Sequence, residues 1–261
     1  MTQEIDIRLD NGVQIIRLMR ADKKNALTGP MYDAMSSALE EAEKSDAIAA
    51  HVFMGSGGVF TAGNDINDFV RRAQDGSQHA APSQMFIGRL PKVTRPMIAA
   101  VDGLAVGIGV TLLLHCDLVY ATPTASFRAP FVDLGLIQEA GSSLLGPVRL
   151  GYARAFELLA LGEVWTAERA AQAGLINAVV GEGELEAKAL AAARRLAAKP
   201  RAALLASRRM LKGDPALVSK AIADELAVYK DLIRSPEARE AFAAFLEKRA
   251  PDFAKARRGA A

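Results

Sequence analysis

The chain has 261 residues, about half of them apolar, with a formal net charge of +2 and a single cysteine, Cys116. That length suffices for one sizeable core with a small appendage. One cysteine excludes an intrachain disulfide and a thiolate metal cluster. No apolar run reaches the ~18 residues of a membrane helix, and the polar start MTQEIDIRLD has the form of neither a secretory signal nor a transit peptide. A reducing cytoplasm and no membrane partner are the expectation.

The charge is unevenly placed. From Lys199 onward 14 Lys+Arg stand against 8 Asp+Glu, whereas the first 198 residues carry 18 against 22. A basic tail can meet phosphate groups on a ligand or a nucleic acid. It has few aromatics on which bases could stack, so a nucleic-acid partner is not expected.

In chain order, Ile5, Ile7 and Leu9 alternate with polar residues, and Asn11-Gly12 leads into Val13 to Met19. This predicts a hairpin with positive φ at the turn. Thr28 is placed to cap a helix over 30–44, whose apolar face is Met31, Met35, Ala38, Leu39 and Ala42. Ile48 to Met54 predicts a strand, Gly55 to Gly58 a loop, Phe60 to Asn64 a short segment, and Asp65 the start of a helix. The polar, small stretch 73–84 predicts a mobile loop, followed by a helix over 84–92. Strands are predicted at Met97–Val101, Leu118–Ala121 and Ala125–Ala129, with a helix through Val110 to His115 between the first two. Thr166 caps AERAAQA, Gly174 stops it, and LINAVV returns as a strand. From Gly183 the chain is Ala-rich and helical, and in 237–249 Ala238, Phe242, Phe245 and Leu246 share one apolar face.

Two stretches can carry chemistry. GSGGVFTAGNDINDF (55–69) and DGLAVGIGVTLLLH (102–115) each bring small residues to a helix start, where backbone N–H groups are free and a ligand can approach the main chain. Either alone is an ordinary turn signal. Together they suggest two donors converging on one oxygen, an arrangement worth about 3–4 kcal/mol per donor in acyl chemistry. A P-loop, a dinucleotide fingerprint and a Gly-x-Ser-x-Gly elbow are all absent. His51, His79 and His115 lack metal-ligand spacing, and His115 and Cys116 read as core. One acid stands out: Glu139, in DLGLIQEAGSSLL, between two apolar runs. It is either an acid at a helix N-terminus or the acid of a reaction.

FTAGNDI, AVDGLAVGIGVTLLLHCDLVYA, SFRAPFVDLGLIQEAGSS, Lys24-Asn25-Ala26-Leu27 and TAERAAQAGLINAVV, in this order and over nearly the whole chain, resemble the enoyl-CoA hydratase/isomerase (crotonase) superfamily. The resemblance implies an α/β fold: a spiral of ββα units over 1–195 and a helical C-terminal region over 196–261 used for trimerisation, in a homotrimer or hexamer. It implies a substrate carried as a coenzyme A thioester and no metal or redox cofactor. It assigns the backbone N–H groups of Asn64 and Ile108 to an oxyanion hole. It puts Lys24, Ala62, Asp65 and Ile66 against the CoA moiety and Lys248 against a phosphate.

Hydratases of this family use two glutamates, and here those positions read Thr111 and Phe131. A phenyl ring moves no proton, and a threonine hydroxyl is far too weak an acid or base near neutral pH. Glu139 falls where the Δ3,Δ2-enoyl-CoA isomerase branch has its single base. The residues thus favour an isomerase using Glu139. An atypical hydratase or a ring-rearranging CoA isomerase of the same family is the alternative, and a member of reduced activity that binds RNA or protein a more remote one. Asp65, Asp68 and Asp133 read as structural acids.

Overall fold

A computed structural model describes residues 4–65, 81–181 and 183–258. The helix expected to begin at Asp65, most of the expected 73–84 loop, Asp68, His79 and the site candidate Ile66 lie outside the described residues.

Strands β1 (Ile5–Asp10) and β2 (Val13–Leu18) form the expected hairpin, with Asn11 at φ 49° and Gly12 at φ 79°. Beside β2 lie β3 (Ala50–Met54), β4 (Met97–Val101), β6 (Leu118–Ala121) and β9 (Ala178–Val179), all parallel, in one sheet ordered β1-β2-β3-β4-β6-β9. Every residue of β3 and β4 is buried, as parallel strands covered on both faces must be. Their side chains alternate between two cores. Phe53, Met97, Ala99 and Val101 join the core that contains α1 (Gly29–Lys44). Val52, Met54, Ile98 and Ala100 face Leu185, Ala189, Leu190 and Ala193 of α7 (Leu185–Ala197).

A second sheet holds β5 (Leu104–Val106), β7 (Ser126–Arg128) and β8 (Trp165–Thr166). Two single-residue parallel bridges extend it, Leu27 to Asn64 and Thr61 to Ala105. Each turn of the chain therefore lays one strand in the large sheet and then one short extended piece beside the previous one. That stacking is the spiral of two-strand units.

Helix α1 buries Met31, Met35, Ala38, Leu39 and Ala42, the expected face, together with Tyr32. Each large apolar side chain buried this way contributes roughly 1.5–3 kcal/mol. Thr28 does precede this helix in extended conformation, but its hydroxyl donates to Glu4 Oε2 (3.0 Å) instead of accepting from the helix. Residues 82–92 form α2 (Pro82–Arg89) and a 3₁₀ turn (Leu90–Lys92). The helix expected at 110–115 is a short turn, α3 (Ile108–Thr111), continued as 3₁₀. Thr166 caps α6 (Ala167–Ala173) by accepting from the Arg169 N–H, and Gly174 ends it at φ 83°. Helices α4 (Ser142–Leu150) and α5 (Tyr152–Leu159) precede β8.

After α7 come α8 (Arg201–Lys212), α9 (Pro215–Leu232), α10 (Pro236–Leu246) and α11 (Phe253–Arg258). On α10 Ala238 and Phe242 are buried, but Phe245 and Leu246 are more than half exposed. The proposed apolar face of 237–249 is therefore narrower than its spacing suggested. Among the described residues no helix is long and apolar enough to cross a membrane.

The loop that feeds the second sheet hangs on Asn25, which is fully buried at φ 52°. Its amide donates to the carbonyls of Ser56 (3.0 Å) and Val59 (2.6 Å) and accepts from the Arg20 N–H (2.8 Å). Replacing Asn25 with Ala strands three partly buried backbone groups. A loss of about 3 kcal/mol is expected, read as a lower midpoint in urea unfolding.

Candidate active site

Two backbone segments meet at the centre of the molecule. In the Thr61–Ala105 bridge, Thr61 donates to Leu104 O (2.9 Å) and Val106 donates to Thr61 O (3.0 Å). Gly63, at φ 87°, then lies so near that a Cβ there would stand 2.9 Å from the Val106 carbonyl oxygen. Only glycine fits both that conformation and that approach. In the Leu27–Asn64 bridge the hydrogen bonds run through the neighbours of Asn64: Leu27 N–H to Gly63 O (2.8 Å) and Asp65 N–H to Leu27 O (3.0 Å). The Asn64 N–H is left outside the ladder. Ile108 is the first residue of α3, where an N–H has no acceptor within the helix. Neither N–H finds an acceptor among the described residues. Such a pair can bind an oxygen that carries negative charge. The Asn64 side chain is fixed by the hydroxyl of buried Tyr32, which donates to its Oδ1.

Glu139 lies across a cleft from this segment. The cleft has an empty volume of about 490 Å³, the open solvent at its mouth included. Asn64, Ser83, Gln84, Gln138, Glu139 and Tyr229 supply most of its polar lining, and Ile87, Ile222 and Leu226 much of the apolar part. Glu139 Oε1 is shut from solvent and has no hydrogen-bond partner among the described residues. Burial, and then the negative charge of Glu225, push its pKa up to about 8. Burial and the charge of Glu139 hold the phenols of Tyr32 and Tyr229 well above their ordinary range, so both stay protonated.

Glu139 is not in the first turn of a helix. Helix α4 starts at Ser142, and Ala140 (φ 62°) and Gly141 (φ 71°) form a left-handed turn between them. The helix-start reading of this acid is thereby excluded. The carboxylate at that helix start comes from elsewhere: Glu225, buried on α9, accepts from Gly141 N–H (2.7 Å) and Ser143 N–H (2.8 Å). Sequence reasoning missed Glu225. Its signal was an acid spaced three and four residues from Ile222 and Tyr229, on the inward stripe of a helix.

The other expected positions divide into two groups. Lys24 is exposed at φ 52°, its carbonyl accepts from Ala62 N–H (2.9 Å), and both adjoin the Asn64 segment. The Asp65 carboxylate pairs with Arg20 (2.7 Å), whose Nε also meets Glu4 (2.9 Å). Lys248 is exposed beyond α10 and makes no hydrogen bond or ion pair with these residues. Thr111 is fully buried and Phe131 nearly so; neither lines the cleft. His115 and Cys116 are core residues. Burial drives the His115 pKa down to about 4 and the Cys116 thiol up to about 12. Asp133 pairs with Arg128 (3.1 Å).

The family model for enoyl-CoA hydratase/isomerase matches residues 8–256. The chain is 33% identical over 262 residues to the 1,2-epoxyphenylacetyl-CoA isomerase of Escherichia coli K12, covering 97% of this chain and 99% of that one. It is 37% identical over 182 residues to rat (Rattus norvegicus) enoyl-CoA delta isomerase 2, covering 68% of this chain and 46% of that longer protein. A crystal structure of an enoyl-CoA hydratase/isomerase from Pseudoalteromonas atlantica T6c superposes with a TM-score of 0.90 at 35% identity, covering 95% of this chain and 99% of that one. The chain belongs to the enoyl-CoA hydratase/isomerase family. Its fold is that family's crotonase fold.

A carboxyl whose folded-state pKa lies above its unfolded value costs stability as pH rises from that unfolded value towards the folded one. For Glu139 the window runs from about 4.3 to about 8. Glu139→Gln removes the cost. Its melting temperature is expected to match wild type at about pH 4 and to exceed it by roughly 4 °C or more at pH 8, checked by calorimetry at both pH values.

Proposed function

We propose that the protein is a Δ3,Δ2-enoyl-CoA isomerase that works with one carboxylate. Glu139 carries the reading: an acid whose Oε1 is shut from solvent and meets no donor among the described residues, in the same cleft as Asn64. The two positions a hydratase would fill with glutamate are Thr111 and Phe131, both outside that cleft. The thioester oxygen rests on the N–H groups of Asn64 and Ile108. Glu139 as carboxylate takes a proton from C2, and the electron pair of that C–H bond spreads into a dienolate whose charge lies on the thioester oxygen. The same carboxyl then delivers the proton to C4, and the double bond moves from C3–C4 to C2–C3. No water or electron is consumed. Burial makes Glu139 a stronger base than an ordinary carboxylate, and water kept from the cleft would otherwise level that advantage.

In this reading Lys24, Ala62 and Asp65 hold the CoA moiety, supported by their place against the Asn64 segment, and Lys248 offers its charge to a phosphate. The exposed apolar residues Val148, Tyr152, Phe156, Met210 and Leu211 support assembly as a homotrimer or hexamer.

A ring-rearranging CoA isomerase is the second reading. It is favoured by the full-length likeness to 1,2-epoxyphenylacetyl-CoA isomerase and by the polar cleft wall of Ser83, Gln84 and Gln138.

Glu139→Gln is expected to lower kcat on a 3-enoyl-CoA by about 10²–10⁴-fold with little change in KM. Near-full retention of activity would refute the mechanism. In the wild type kcat/KM should rise about tenfold per pH unit on the acid side and level above about 8, the pKa of the base. Parallel assays with 2-enoyl-CoA and an epoxidised aryl-acyl-CoA separate the readings, since fast hydration or ring rearrangement would displace the first.

A further inference from the structure

The turn that carries Glu139 is held from three sides. His115 Nε2 donates to the Ala140 carbonyl (2.6 Å). The Ser142 hydroxyl donates to the Glu139 carbonyl (2.6 Å). Glu225 accepts from the N–H groups of Gly141 and Ser143, one on each carboxylate oxygen. The first two bonds involve uncharged groups, so the anchor from α9 is the only one that brings a charge. Ala140 at φ 62° is a conformation that alanine adopts only under constraint, and these bonds supply it.

The two carboxylates differ in what surrounds them. Each oxygen of Glu225 faces an N–H, which favours the anion and opposes the rise in pKa that burial imposes on it. Glu139 Oε1 faces no donor among the described residues. Like charges that share a site push their protonation apart, and here the donors decide which one keeps the charge. The titratable groups that face Glu139 are Glu225 and Tyr229 from α9 and Tyr32 from α1, with His115 behind the turn. The tyrosines stay protonated and His115 stays neutral around pH 7. Glu225 is the charge that remains.

We propose that Glu225 is the positioning residue of this site: its carboxylate pins the Ala140–Ser143 turn, and its fixed charge governs when Glu139 takes and releases its proton. The proposal rests on Glu139 being the base. Glu225 lies on α9, well away in sequence from both donor segments, so the last long helices complete the proton chemistry of the spiral core.

The test is an infrared titration of the protonated carboxyl bands, with that of Glu139 assigned by its loss in Glu139→Gln. Glu225→Gln is expected to shift the Glu139 titration down by about one pH unit, and the acid limb of kcat/KM on a 3-enoyl-CoA by the same amount. Glu225→Asp keeps the charge, so its Glu139 titration stays near the wild-type value while kcat falls because the turn is no longer pinned. An unmoved Glu139 band in folded Glu225→Gln overturns the proposal. So does a protonated carboxyl band at pH 7 that survives in Glu139→Gln, a measurement that needs no Glu225 variant to fold. A wild type that fails to isomerise any 3-enoyl-CoA refutes the proposed function, whereas the band shift then still decides the coupling of the two acids.

Discussion

Two backbone segments approach each other more closely than side chains would allow, and the site depends on that approach. The Thr61–Asn64 segment is bridged to the second sheet, and the strand β5 runs through Gly107 into α3 at Ile108. The bridge hydrogen bonds of the former pass through the flanks of Asn64, and those of the latter end before Ile108. Among the described residues the Asn64 N–H, between its two bonded flanks, and the Ile108 N–H, at the start of α3, are thereby left without an acceptor. The absence of a Cβ at Gly63 is what lets the two ends lie side by side. Donors fixed this way cost no reorganisation when charge develops in front of them, which is why backbone amides suit such a role better than flexible side chains.

The opposite wall of the cleft follows a different logic. A carboxylate there must be kept from water and from donors to remain a good base, and a group so treated destabilises the fold around it. The chain meets this with bonds to the neighbouring backbone, leaving Glu139 Oε1 without a donor among the described residues. Asn25, Arg20 and Tyr32 do the corresponding work for the Asn64 segment: one buried amide, one guanidinium shared between Glu4 and Asp65, one phenol on the Asn64 side chain. The donor wall is held by several hydrogen bonds, whereas Glu139 Oε1 meets none among the described residues.

Much of this was legible beforehand. The hairpin at Asn11-Gly12, the buried face of α1, the strands at 97–101 and 118–121, and the Thr166 cap each follow from local spacing, and each appears as read. Local spacing failed where a distant partner competed. Thr28 sits at the helix start, yet its hydroxyl goes to Glu4 from the preceding strand. Phe245 and Leu246 have the period of a buried face, but the single chain offers them nothing to pack against. Glu139 had two readings, and the helix-start reading described a real interaction with the wrong residue. A carboxylate does meet the start of α4, contributed by Glu225 from 84 residues beyond Gly141.

The sequence by itself determined the order of elements, the two small-residue stretches that end in free amides, and the loss of the paired glutamates at Thr111 and Phe131. These are local properties, set by glycine, by turn chemistry and by residue type. Only the tertiary structure decided that Glu139 stands apart from its helix with Oε1 meeting no donor among the described residues, and that Glu225 lines the same cleft. Those facts depend on which distant side chain reaches a given backbone group first, and on how much water the packing of α2 and α9 excludes, and neither is written in the spacing of any one segment.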